Sequence, residues 1–192
     1  MIVLSFDGNF KPSLESGAYG VVIVVGKKTV YLCQKTEQTT RTREELKGLV
    51  KGLQYIDENI EAENTQIMVY GDSRYVLDSA SKLIFEWVKT DFRNGKILNI
   101  DLWKDYVDVV ASLGRKKNSF VFFWVKAHTK FWLNEKAIEL AQRASTTLKR
   151  YYTIGREELE LSHSPRLMKK LAECTFPADF SYNNRAQGKL KL

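Results

Sequence analysis

Three short apolar, β-branched runs open the chain, "MIVLSFDG", "YGVVIVVG" and "TVYLCQKTE", separated by turn-like stretches. Such runs read as strands, and their short links predict an antiparallel meander that starts almost at the first residue. The period then changes. In "TREELKGLVKGLQYIDENI" the residues Leu46, Leu49, Val50, Leu53 and Ile56 recur at helical spacing, with Thr42 and Glu45 placed as a capping box. "TQIMVYGDS" is a buried strand, followed by a helix through "RYVLDSASKLIFEWV". After a charged loop around "KTDFRNGK" come a helix at "IDLWKDYVDVVASL" and a fifth strand in "SFVFFWVKA". The last long helix begins in "WLNEKAIELAQRA", with Leu133, Ala137, Leu140, Ala141, Ala144 and Leu148 as its core face.

The order β-β-β-α-β-α-α-β-α predicts an α/β fold. Its mixed five-stranded sheet joins the antiparallel meander to parallel strands, with helices flanking and right-handed crossovers. The pattern assigns one domain to residues 1–150 and a C-terminal extension to 151–192. The extension reads as partly helical, with Ser164 and Pro165 starting a short helix through Leu171, and ends in a flexible basic tail, "NNRAQGKLKL".

Composition changes this picture little. The chain has 192 residues, 44% hydrophobic and 28% charged, enough for a normal core. No apolar run approaches the ~20 residues that cross a bilayer, so no membrane partner is expected. The first residues lack the basic region and cleavage site of a signal peptide. Cys33 and Cys174 are far apart and form no metal-ligand spacing. A reducing cytoplasmic location is the expectation. The formal charge of +7 suits a polyanionic partner, nucleic acid being the commonest, although a solvated basic surface would give the same balance.

The acids change it more. Asp7 stands at the C-terminal end of the first strand and Asp72 at that of the fourth. If those strands are neighbours, both carboxylates emerge at the sheet edge where α/β proteins bind ligands. Glu45, in the first turn of the first helix, can reach the same point. Each acid alone could be a turn or cap residue. Together they would repel one another without a cation, and hard oxygen donors favour Mg²⁺ or Mn²⁺. Such a site suits phosphoryl chemistry.

The segments "FDGN", "TTRTREELKGLVKGL", "YGDSRYV", "NIDLW" and "FFWVKAHTKFWLNEKAIELA" resemble ribonuclease HI in order and spacing, over roughly residues 1 to 148. The resemblance implies a ribonuclease H-like fold and metal-dependent endonucleolytic hydrolysis of the RNA strand of RNA–DNA hybrids. It implies Asp7, Glu45 and Asp72 as catalytic metal ligands, with Glu45 preferred to Glu44, and His128 as a loop histidine that assists proton transfer or product release. Thr40, Thr42 and Arg43 match the helix start that touches the hybrid backbone. Asn99 matches the end of a basic handle region, and Lys126 lies beside the His128 loop. Trp103 reads rather as core. Lys89, Arg93, Lys96, Arg115, Lys116 and Lys117 are candidate phosphate contacts, each also an ordinary surface charge.

Three departures stand out. The turn after Asp7 differs in composition, and the handle is slightly shortened and less basic. The third concerns the family's fourth acid, four residues after the asparagine matched by Asn134, where this chain has Ile138. Glu139 and Glu135 lie about 100° and 60° around the helix and replace it poorly. Two readings stay open: a hybrid endonuclease with reduced or atypical metal use, or a catalytically degenerate relative. The latter would bind nucleic acid or a protein partner without cleavage, with the C-terminal extension supplying an interface.

Overall fold

The meander forms as the hydrophobic pattern predicts: β1 (Ile2–Lys11), β2 (Ser16–Val25) and β3 (Lys28–Glu37) pair antiparallel, Ile2 facing Val25 and Val25 facing Lys28. The computed structural model describes residues 1–146 and Leu159–Glu160. On the other side of β1, β4 (Gln66–Gly71) and β5 (Ser119–Trp124) add in parallel, giving the order β5-β4-β1-β2-β3. A two-residue strand, β6 (Leu159–Glu160), extends the expected five by pairing with Lys28 and Thr29 at the outer edge of β3. Leu148, the helix expected from Ser164 and the basic tail lie outside the described residues.

Strand alternation sorts the core into two layers. Ile2, Leu4 and Phe6 of β1 face one side, where α1 (Arg41–Asn59) and α5 (Ile100–Arg115) bury Leu46, Leu49, Leu53, Val110 and Leu113. Val3 of β1 and Val22 of β2 face the other side, where α6 (Trp132–Thr146) buries Leu133, Ala137, Leu140 and Ala144. The core face expected for α6 is thus present as far as Ala144. Trp103 is wholly buried and meets Trp87 and Tyr106 edge-on, at 5.4 and 5.7 Å between ring centroids. Its assignment to the core is borne out.

One local expectation needs correction, and one helix carries an irregularity. The first helix is capped by Thr40, not by a Thr42–Glu45 box: Thr40 is extended and its Oγ1 accepts from the Arg43 amide at 3.2 Å. Thr42 is already helical, and the Glu45 carboxylate is engaged elsewhere. The segment expected as one helix over 74–88 is helical throughout, with a local change of winding. α2 (Arg74–Asp78) passes through a π-helical stretch, Ser79–Leu83, into α3 (Ile84–Lys89). The Tyr106 hydroxyl donates to the Ala80 carbonyl at 3.0 Å, fixing that stretch to α5. Beyond it, α4 (Asp91–Gly95) is a single turn with Phe92, Arg93 and Asn94 at φ of 53–57°, the left-handed region that L-residues enter at a cost.

α5 ends in a Schellman motif. The amides of Lys117 and Asn118 bond back to the Gly114 and Leu113 carbonyls, and Lys117 sits at φ 60° where glycine is favoured. The buried Asn118 side chain then donates to the Ala62 and Leu113 carbonyls and accepts from the Thr65 amide, joining this helix end to the entry of β4. Lys117→Gly should therefore raise unfolding stability by about 0.5–1 kcal/mol, the relief of a left-handed side-chain residue net of unfolded-chain entropy. Urea denaturation measures this, and no gain or a loss would contradict the assignment.

Candidate active site

β1 and β4 are parallel neighbours with Leu4 beside Val69 and Ser5 beside Tyr70. Two residues further along that register Asp7 comes beside Asp72, which follows β4 directly. Glu45 arrives from α1, and the approach depends on Gly8: a Cβ there would lie 2.3 Å from the Glu45 amide nitrogen. On the other side, Gly20 is the cross-strand partner of Asp7, and a Cβ there would lie 2.1 Å from the Ala137 carbonyl of α6. Two missing side chains thus let α1 and α6 close on the acid-bearing end of β1. Asn9 fastens the second contact by donating to Ser145 Oγ of α6 at 2.7 Å.

The result is a cluster in which Asp7, Glu45 and Asp72 each offer a carboxylate oxygen within 4.8 Å of the others. Asp7 is 2% exposed, and its Oδ1 is buried without a hydrogen-bond partner. Burial first, then the Asp72 and Glu45 charges, push the Asp7 carboxyl up to about 7, against an opposing effect of Arg41. Burial also raises Glu45, offset by hydrogen bonds from Ser73 and Arg41. An orphaned buried carboxylate oxygen among converging hard donors fits a divalent cation of the Mg²⁺ or Mn²⁺ class.

Two residues at this centre escaped the sequence reading. Ser73 Oγ donates to Glu45 Oε2 at 2.7 Å, and Arg41 Nε donates to Glu45 Oε1 at 3.1 Å. The Arg41–Glu45 spacing of four was a legible signal; the Ser73 contact crosses from β4 to α1 and was not. Glu44 turns away, fully buried, accepting from Thr39 and Thr36 hydroxyls at 2.8 and 3.2 Å. That separates it from the cluster and supports the choice of Glu45.

The other expected site residues lie at helix starts and on the loop between β5 and α6. Thr40 and Thr42 lie at the α1 N-terminus, with Thr40 exposed. Arg43 pairs bidentately with Asp101, and its Nη1 also donates to Asn99 Oδ1 at 3.1 Å, so these groups tie the starts of α1 and α5 together. His128 and Lys126 lie on the loop between β5 and α6, His128 72% exposed with Nδ1 3.7 Å from Glu135. Lys116 is paired with Asp57 at 2.7 Å, and Arg93 lies 3.6 Å from Glu86. Lys89, Arg93 and Lys96 line an open concavity of about 710 Å³ in the handle.

Ile138 is buried on α6, between the Ala137 and Ala141 backbone positions that abut Gly20. Glu139 points outward into ion pairs with Lys136 and Arg143, and Glu135 faces His128. Among the described residues, neither joins the acid cluster.

The family model described as RNase H matches residues 2–146. A curated relative named Ribonuclease H, from Erythrobacter litoralis, is 33% identical over 142 residues, 72% of this chain and 92% of that protein. Among solved structures, LC9-RNase H1, described as a type 1 RNase H with the type 2 active-site motif, aligns with a TM-score of 0.63. The identity is 21%, over 75% of this chain and 71% of that one. LC11-RNase H1, solved in complex with an RNA/DNA hybrid, aligns with a TM-score of 0.52 and 18% identity, over 76% of this chain and 96% of that one. At these identities the solved structures speak to the fold alone.

The raised Asp7 carboxyl sets a pH dependence. The folded state holds its proton up to about 7, whereas the unfolded state releases it near 3.8, so metal-free stability from this group declines as pH rises between those values and is flat above. Thermal melts in chelator should show that decline, Asp7→Asn should remove it, and Mn²⁺ at neutral pH should raise the melting temperature of the wild type but not of Asp7→Asn. An equal Mn²⁺ response in both proteins would exclude Asp7 as a ligand.

Proposed function

The chain belongs to the ribonuclease H family, and on that premise we propose that it hydrolyses the RNA strand of RNA–DNA hybrids, using Mg²⁺ or Mn²⁺ at the Asp7–Glu45–Asp72 cluster. The observation that carries the proposal is the convergence of those three carboxylates within 4.8 Å in a chain of this family.

A bound divalent ion supplies Lewis-acid stabilisation of phosphate oxygens and lowers the pKa of a coordinated water. The protein's own groups do the rest. Asp7, Glu45 and Asp72 hold the ion through oxygen donors, and Ser73 fixes the rotation of the Glu45 carboxylate. His128, solvent-facing on its loop, moves protons between water and the departing oxygen. Thr40 and Thr42 present hydroxyls, and free amides of the first helical turn, to a backbone phosphate. Arg43, hydrogen-bonded to Asn99, and Lys126 on the loop between β5 and α6 add further contacts to the hybrid backbone. Recognition rests on the shape of the hybrid and on 2′-hydroxyls rather than on base identity.

The second reading, binding without cleavage, is favoured by Ile138. It lies on α6 between Ala137 and Ala141, whose backbones abut Gly20, the cross-strand partner of Asp7, and the neighbouring glutamates of α6 are engaged elsewhere. Cleavage of a labelled RNA–DNA hybrid in Mg²⁺ and in Mn²⁺ separates the two. The expected result is slow RNA-strand cleavage, stronger in Mn²⁺, reduced about a hundredfold or more in Asp72→Asn and raised in Ile138→Asp. Hybrid binding with no cleavage in either metal would establish the second reading.

A further inference from the structure

We propose that Arg41 is a built-in cation of the acidic centre, supplying positive charge that a second metal ion would otherwise bring, so that the centre takes a single divalent ion. The inference rests on the metal-dependent reading above and goes beyond it.

Arg41 opens α1, and its Nε donates to Glu45 Oε1 at 3.1 Å while Ser73 occupies Oε2. An exposed i,i+4 ion pair is ordinarily a minor helix contact. This one differs at its acidic end. The Glu45 side chain is only 9% exposed, whereas that of Arg41 is 62% exposed. The guanidinium therefore sits in solvent at the mouth of a recessed acid cluster, where Asp7, Glu45 and Asp72 all act on it. A guanidinium keeps its charge at any working pH, so this contribution is permanent.

Charge balance gives the number of ions. As metal ligands the three carboxylates are ionised, and with one guanidinium they leave a net charge of minus two, which one divalent cation neutralises. A fourth acid on α6 would shift that balance toward a second ion. Position 138 holds isoleucine instead, and Glu135 and Glu139 are directed to His128, Lys136 and Arg143. The extra cation at the start of α1 and the missing anion on α6 change the local charge in the same direction. A further consequence is competition: an ion that takes Glu45 Oε1 must displace Arg41 from it, while in metal-free protein Arg41 relieves the repulsion among the acids.

The test is calorimetric titration of the full chain with Mn²⁺, for the wild type, Arg41→Gln, Arg41→Lys and the double variant Arg41→Gln/Ile138→Asp. We expect one ion per wild-type chain, about tenfold tighter binding in Arg41→Gln, near-wild-type affinity in Arg41→Lys, and a second ion in the double variant. In chelator Arg41→Gln should melt below the wild type, and saturating Mn²⁺ should close that gap, which loss of a merely structural contact would not do. Wild type binding two ions of similar affinity, no Mn²⁺ binding, or an Arg41→Gln affinity equal to or weaker than wild type would overturn the proposal. Hybrid cleavage measured in parallel separates the two readings. Cleavage with an unchanged Arg41→Gln metal affinity removes only the role of Arg41; the expected metal results without cleavage remove only the nuclease reading.

Discussion

The centre depends on a steric constraint at one strand end: β1 carries Asp7 beside Gly8, and β2 places Gly20 opposite Asp7. With no Cβ at either glycine, the backbone of α1 closes on one side and that of α6 on the other. Any side chain at Gly8 would meet the Glu45 amide and push α1, with its carboxylate, away from Asp7. The helix-to-sheet distance and the geometry of the acid cluster are therefore the same quantity. The large apolar residues of both layers fill the space that this approach defines.

Closing two helices around an acid end leaves an electrostatic problem. Asp7 is buried next to two further carboxylates, and its own oxygen Oδ1 finds no donor. Burial and like charge disfavour the ionised state, as the raised Asp7 carboxyl records. Ser73 and Arg41 offset part of this at Glu45, one by a hydrogen bond and one by charge. Glu44, one residue away, is satisfied by hydroxyls of Thr36 and Thr39, with Lys47 within 3.9 Å. Adjacent glutamates on one helix turn thus have separate tasks: Glu44 anchors α1 to β3, and Glu45 faces the centre.

The surface beside the centre is organised by helix starts. Thr40 caps α1, and Arg43 in the first turn reaches Asp101 and Asn99 at the start of α5. The π-helical stretch and the left-handed turn at Asp91–Gly95 lead the chain into α5 from the handle. Exposed Leu83, Val88 and Leu98 lie in that same region, alongside its basic concavity.

Much of this was legible in the sequence. β-Branched runs fixed the strands, helical spacing fixed the long helices, and the position of Asp7, Glu45 and Asp72 at element ends foretold their convergence. These are one-dimensional periodicities that burial enforces directly. Ile138 was also legible as the departure on α6. The contacts between distant segments were not: Ser73 on Glu45, Arg43 on Asp101, Asn118 on Ala62 and the closeness allowed by Gly8 and Gly20. The Thr40 cap and the π-helical turn within 74–88 were not legible either: Thr40 Oγ1 takes the Arg43 amide, and Tyr106 of α5 reaches the Ala80 carbonyl. Local pattern determined which residues could face a common edge; only tertiary packing decided how close they came, because that distance is set by what two helices meet when they close on one strand.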